Sequence, residues 1–140
     1  MKDWKKVAAD TGFFVAVVRK SDNHHEQCCA LLKKMPLSGQ LFTVESCLSE
    51  AFFLLPSLQE RQRLISLLKL LKVNVMCLSE DDLQRSYDLL MLYHDQRIDF
   101  ADACLIALCE KLRIATIATI DRKDFTIYRP RHTRAFHIVP

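Results

Sequence analysis

Five short apolar runs are spaced along the chain: Lys6 to Ala9, Gln40 to Phe42, Val73 to Leu78, Ile114 to Thr119 and Ala135 to Val139. Their lengths, and the polar residues that bound them, predict strands. Between the runs, apolar positions recur at helical spacing. Ser57-Leu-Gln-Glu60 and Ser79-Glu-Asp-Asp82 have the form of capping boxes, in which a hydroxyl accepts from an orphan amide and a carboxylate three residues later answers it. A helix is expected after each. The first carries Leu58, Ile65, Leu68 and Leu71 in an amphipathic pattern, and the second runs from about Asp82 to Tyr93. Strands alternating with helices predict a three-layer α/β/α sandwich around a mainly parallel sheet. No repeat, linker or low-complexity run interrupts the pattern, so residues 1–140 read as a single domain.

Composition narrows the picture. Half of the residues are hydrophobic and 26% are charged, which suits a packed core and excludes a disordered chain. With 2 Gly and 4 Pro, the sequence cannot punctuate the many tight turns of an all-β barrel or sandwich. No apolar run approaches the ~20 residues of a membrane span. The opening MKDWKKVAAD has basic residues but no long apolar region, so it does not read as a secretory signal, and a soluble cytoplasmic protein without membrane contact is expected. Six cysteines at 28, 29, 47, 77, 104 and 109 form no Cys-x-x-Cys pair and meet no paired histidines. They read as buried thiols rather than a zinc or redox site. His24 and His25 read as an exposed helix start. The net charge of +3 is compatible with a nucleic-acid partner without demanding one.

Open α/β sheets bind ligands at the carboxyl ends of their strands, where the topology switches. Asp10 follows the apolar Val7-Ala8-Ala9, and Asp121 follows Ile117-Ala118-Thr119-Ile120. Each could serve a ligand or simply cap the next element. Asp102 lies in Asp99-Phe-Ala-Asp-Ala-Cys-Leu-Ile-Ala-Leu-Cys, where apolar residues cover nearly the whole helical circumference. Asp102 should therefore be buried and in need of a cation, a donor or a helix N-terminus. Asp99, on nearly the same face, is either a second ligand or an N-cap. In Thr43-Val-Glu-Ser-Cys-Leu-Ser-Glu-Ala-Phe-Phe, Glu50 falls among Cys47, Phe53 and Leu54, whereas Glu45 lies ~140° round the helix and reads as solvated.

Four segments, Asp10-Thr-Gly-Phe-Phe-Val-Ala, Thr43-Val-Glu-Ser-Cys-Leu-Ser-Glu50-Ala, Asp99-Phe-Ala-Asp102-Ala-Cys-Leu-Ile-Ala-Leu and Thr119-Ile-Asp121-Arg-Lys-Asp-Phe, occur in the order found in PIN-domain ribonucleases. With the following Asp124 to Arg129 run, the chain resembles the VapC-type toxins of toxin–antitoxin pairs. The resemblance implies a parallel sheet of order 3-2-1-4-5 and an acidic quartet of Asp10, Glu50, Asp102 and Asp121, with Asp99 as an additional acid. It implies a metal-dependent endoribonuclease using Mg²⁺ or Mn²⁺, which such carboxylates suit and which can activate water against a phosphodiester. One departure is the basic Arg19-Lys20 and the Ser21 to His25 run that follows, where family members often carry more acid.

An acidic centre repels RNA, so basic residues must flank it. The candidates are Arg19, Lys20, Arg122, Lys123, Arg129, Arg131 and Arg134, each of which could equally belong to an ordinary charged surface; Tyr128 could stack on a base. A small antitoxin is the implied protein partner, its terminal segment lying between the Phe52 to Leu55 helix and the Leu58 to Leu71 helix. Phe52, Phe53, Leu64, Leu67 and Leu68 suggest a homodimer surface. Two other readings are a nuclease-inactive PIN scaffold that binds RNA or protein, and a receiver-type phosphorylation domain. The acidic residue at all four quartet positions favours an active enzyme. Receivers place their acids on loops after strands, whereas Glu50 and Asp102 fall within helices.

Overall fold

Four of the five apolar runs contain a shorter strand, and the strand that begins in the Gln40 to Phe42 run extends to Val44. The computed structural model describes residues 5–35 and 40–140. In chain order it contains β1 (Val7–Ala9), α1 (Thr11–Val18), α2 (His25–Lys34), β2 (Leu41–Val44), α3 (Glu45–Leu54), α4 (Leu58–Leu70), β3 (Asn74–Met76), α5 (Glu80–Leu92), α6 (Phe100–Leu112), β4 (Thr116–Ala118), α7 (Arg122–Ile127) and β5 (His137–Val139). All four strand pairings are parallel, in the order β3-β2-β1-β4-β5. This is the expected α/β architecture. The central strands β1 and β4 are buried at every residue, as parallel strands covered on both faces must be.

Two apolar clusters fill the space on either side of the sheet. One joins Ala8, Ile117 and β5 to the inner faces of α5, α6 and α7 through Leu89, Leu105, Ile106 and Phe125. The other joins Val7, Ala9 and Val139 to α1, α2 and α4 through Phe13, Phe14, Leu31 and Leu64. Helix α3 packs against both α1 and α6 and contributes to both clusters, through Cys47 on one side and Ala51 on the other.

Both expected caps form. Ser57 accepts from the Glu60 amide at 3.2 Å, and Ser79 with Asp82 completes a reciprocal box at the start of α5. Arg113 ends α6 in the left-handed region (φ 56) and donates its backbone N–H to Cys109 and Glu110.

Two expectations are corrected by packing. Phe52, Leu67 and Leu68 pack on the core and Leu64 is fully buried, so of the five residues offered as a dimer surface only Phe53 is exposed. Between α3 and α4, Leu55 and Leu64 are fully buried, and Arg61 donates to the carbonyls of Leu55 and Phe52. Four thiols are buried, but Cys29 is half-buried and Cys77 exposed. Among the described residues, no helix is long and apolar enough to cross a membrane.

Candidate active site

The chain leaves β1, builds outward through β2 and β3, and then returns to the other side of β1 as β4. The switch point therefore lies between the carboxyl ends of β1 and β4, where a crevice is expected. A cavity of about 790 Å³ opens there, lined by Asp10, Glu50, Asp99, Asp102, Asp121 and Asp124 with Thr11, Gly12, Leu54, Ile120, Arg97 and Lys123. Residues from α1, α3, α6 and the β4–α7 junction converge on it.

Asp10 is the most firmly held acid. It caps α1, with Oδ1 accepting from the Phe13 amide at 2.9 Å, while Oδ2 accepts from the Thr119 hydroxyl. Thr119 Oγ1 in turn accepts from the Asp121 amide at 2.9 Å, so a single hydroxyl joins the ends of β1 and β4. Burial pushes the Asp10 carboxyl up to about 6, although the Thr119 and Phe13 bonds hold it down. The next residue, Thr11, directs its hydroxyl toward the Cys47 carbonyl (3.1 Å) and Glu50 Oε2 (3.4 Å), tying α1 to α3. Gly12 keeps this corner close: a Cβ there would stand 3.1 Å from Ile120 Cγ1.

Asp99 caps α6 through Oδ1 to the Asp102 amide at 2.8 Å and also lines the cavity. Cap and cavity residue are thus one side chain. Asp102, in the first turn, is half-buried rather than buried, because α6 begins at the open edge of the sheet. Burial, then the charges of Asp99, Asp10, Asp121 and Glu50, push its carboxyl up to about 8. Asp121 stands exposed at the rim; partial desolvation and neighbouring Asp124 raise it to about 6. The Glu50 carboxyl is raised by burial and by Asp99. Glu45 faces away and accepts from Cys77 Sγ at 3.3 Å.

These acids repel one another, and among the described residues the compensation is partial: the N-termini of α1 and α6 present positive dipole ends, and Arg97 and Lys123 line the same cavity. An all-oxygen donor set of this charge is what Mg²⁺ or Mn²⁺ prefers. Among the described residues no three ligating side chains converge on one point as placed.

The basic candidates divide. Lys123 lines the cavity. Arg19 is tied to Glu60 (2.8 Å) and to the Leu54 carbonyl (2.9 Å), Arg122 donates to the Pro140 carbonyl, and Arg129 to the Thr126 carbonyl; Lys20 is exposed after α1. Arg131 bonds Glu110 through its amide at 2.8 Å, and His132 bonds the Ile114 carbonyl at 2.6 Å, which puts that turn at the amino edge of the sheet. Glu110 lies ~16 Å along α6 from Asp99 at ~1.5 Å per residue, so Arg131 stands well away from the acids, and Arg134, just before β5, belongs to the same edge. Tyr128 is fully buried against Tyr93 and Phe125 and has no face for a base. Arg97 lines the cavity and was not among the sequence candidates; its one signal is its place two residues before Asp99.

Comparison with known proteins agrees with this geometry. The PIN domain profile matches residues 7–129. Ribonuclease VapC26 of Mycobacterium tuberculosis is 34% identical over 59 residues, an aligned stretch covering 42% of this chain and 44% of that protein. Among solved structures, VapC20 of Mycobacterium tuberculosis, described as a Sarcin-Ricin loop cleaving toxin, superposes with a TM-score of 0.75 at 19% identity, covering 92% of this chain and 99% of that one. FitAcB of Neisseria gonorrhoeae superposes with a TM-score of 0.57 at 17% identity, covering 82% and 87%. With the family profile spanning nearly the whole chain and the acids gathered at the switch point, this protein belongs to the PIN domain family.

Proposed function

We propose that the protein is a divalent-metal-dependent endoribonuclease, the toxin of a toxin–antitoxin pair. The observation that carries this reading is the meeting of Asp10, Glu50, Asp102 and Asp121, from four separate segments, around one cavity at the switch point. So many carboxylates sharing one cavity, with raised pKa values and no stabilising ion pair of their own, suit a site built for a cation and not for stability. The likeness to VapC26 and VapC20 supports RNA as the substrate.

In this reading Asp10, Glu50, Asp102 and Asp121 would hold Mg²⁺ or Mn²⁺, and Asp99 would assist through the oxygen that does not cap α6. When bound, such a cation would supply positive charge to a phosphate and lower the pKa of a water. The chain's own residues do the positioning. Thr119 fixes Asp10 relative to Asp121, and Thr11 fixes Glu50. Arg97 and Lys123, the two cations lining the acid cavity, hold the RNA phosphates flanking the cut. Hydrolysis leaves a 5′-phosphate and a 3′-hydroxyl. A small antitoxin is the protein partner. A homodimer would use the exposed Leu58, Ile65 and Leu70 of α4 in place of the buried residues beside them. The protein acts in the cytoplasm.

The test is to incubate purified protein with single-stranded RNA and Mg²⁺ or Mn²⁺ and sequence the ends produced, wild type beside Asp10→Asn. Cleavage should require the metal and disappear in EDTA and in the variant. Cutting that persists in EDTA would reject the metal mechanism. A wild type that binds RNA without cutting it under any metal would favour an inactive scaffold.

A further inference from the structure

Beside the acid cavity lies a second hollow of about 540 Å³, lined by Ser46, Ser49, Phe53, Phe100 and Ala101. Glu50 and Asp99 line both, so the two hollows adjoin. Their linings differ in kind. The acid cavity carries Arg97 and Lys123, whereas the second hollow has no cation in its lining. It has instead two hydroxyls and two aromatic rings that meet solvent, Phe53 at 79% and Phe100 at 44% exposure. Phe100 is further stacked on exposed Tyr87, centroids 6.5 Å apart and planes within 24°.

We propose that this hollow takes an unpaired base of the RNA substrate adjoining the scissile phosphate, with Phe53 and Phe100 as stacking faces and Ser46 and Ser49 as hydrogen-bonding groups. The proposal rests on the nuclease reading of the acid cavity and deepens it. A strand whose phosphate lies over the acids and that continues past Glu50 and Asp99 meets rings and hydroxyls there but no cation for a phosphate. Flat apolar faces with donors and acceptors between them suit a nucleobase, since unstacked bases are recognised by aromatic stacking and hydrogen bonds to their edges. A second copy of the chain is a poorer occupant, because most of the exposed aliphatic residues that such a contact needs lie elsewhere, at Leu58, Ile65 and Leu70 of α4 and at Met91 and Leu92 of α5, with Leu54 beside Phe53 the exception.

The two banks of the site should then respond differently. Replacing a stacking ring with alanine should weaken binding of single-stranded RNA by about five- to a hundredfold. The dependence of affinity on salt should stay as in wild type, because no phosphate contact is lost. Lys123→Ala should instead reduce that salt dependence.

The experiment measures anisotropy of a short labelled single-stranded RNA, and cleavage of the same RNA, for wild type, Phe53→Ala, Phe100→Ala and Phe100→Trp. Melting curves and sedimentation check fold and assembly. Weaker binding by both alanine variants at unchanged salt slope, with binding retained by Phe100→Trp, supports the proposal. If wild type cleaves while both alanine variants bind as tightly as it does, the proposal fails alone and the nuclease reading stands. Alanine variants that change self-association but not RNA affinity would also overturn it, assigning the hollow to a second copy. If wild type neither binds nor cleaves RNA, both readings fall together.

Discussion

Asp102 and Glu110 sit eight residues apart on α6, both acidic and both partly buried, yet their surroundings are opposite. At the amino edge of the sheet, burial pushes the Glu110 carboxyl up, but Arg85 and the Arg131 amide outweigh it and the net shift is downward. Arg85 reaches it with two bonds of 2.7 and 2.9 Å, a bidentate fork with side chains only 15% and 10% exposed. At the carboxyl edge, Asp102 has four acids around it and, among the described residues, no side-chain hydrogen bond, and burial followed by those charges pushes its carboxyl up to about 8. The same helix thus carries one acid whose charge is answered within the fold and one whose charge is not. The first holds α5, α6 and the turn before β5 together. The second shares its cavity with other acids and with Arg97 and Lys123, neither of which forms an ion pair with it among the described residues.

Changing each acid in turn tests that contrast. Asp102→Asn should lower RNA cleavage by more than ~100-fold, beyond what loss of an outer-shell partner brings, while the fold survives. In metal-free buffer it should melt several degrees higher than wild type, because repulsion is relieved. Glu110→Ala should do the reverse: it strands the Arg85 guanidinium and costs about 3 kcal/mol, roughly 10 °C in Tm, with cleavage per folded molecule unchanged at low temperature. A lower Tm for Asp102→Asn would break the comparison.

Titration separates the two ends by sign. Asp10, Asp102 and Asp121 have folded-state pKa values above the ordinary carboxylate value, so between about pH 4 and 8 the folded chain binds more protons than the unfolded one. Stability of the metal-free protein therefore falls as pH rises through that window. Glu110 acts the other way, since its lowered pKa contributes stability above the unfolded value that is lost on acidification. Melting curves without metal from pH 5 to 8 should show Tm falling, and the fall should shrink in Asp102→Asn. A Tm that rises steadily over that range would contradict the assignment.

Smaller effects sharpen the carboxyl edge. Thr119→Val removes the donor to Asp10 and the acceptor for the Asp121 amide, and should cost about 1–3 kcal/mol and roughly tenfold in cleavage. Glu45→Gln should change cleavage least, because Glu45 faces Cys77 and not the cavity, whereas Glu50→Gln should behave like Asp102→Asn. Steady-state cleavage assays on the three variants check the order. An inactive Glu45→Gln beside an active Glu50→Gln would move the site.

What could be read from the chain follows the range of the interactions involved. Strands and caps depend on residues a few positions apart, and Ser79 with Asp82 or Asp99 with the Asp102 amide are visible at that range. Periodicity also separates Glu50 from Glu45, since both lie on one helix. The partly buried state of Asp102 was hidden by the apolar residues that follow it: they describe the middle of α6, while its first turn projects past the sheet edge. Arg131 and Arg134 looked close to Asp121 along the chain, but α7 carries the backbone to the opposite edge before β5 begins. Arg97 and Phe53 carry no local pattern, and only the tertiary arrangement brings them to the hollows.

The central claim is that the unanswered charge at the carboxyl edge is a divalent-cation site that serves RNA hydrolysis. Its most direct test is a calorimetric titration of Mn²⁺ into wild type, Asp102→Asn and Glu110→Gln near pH 7, each paired with RNA cleavage at the same metal concentrations. Wild type and Glu110→Gln should bind Mn²⁺ with proton release, as carboxyls with raised pKa values are deprotonated, and cleavage should rise along the same curve. Asp102→Asn should lose both. Equal Mn²⁺ binding by wild type and Asp102→Asn, or cleavage that ignores the metal, would contradict the account.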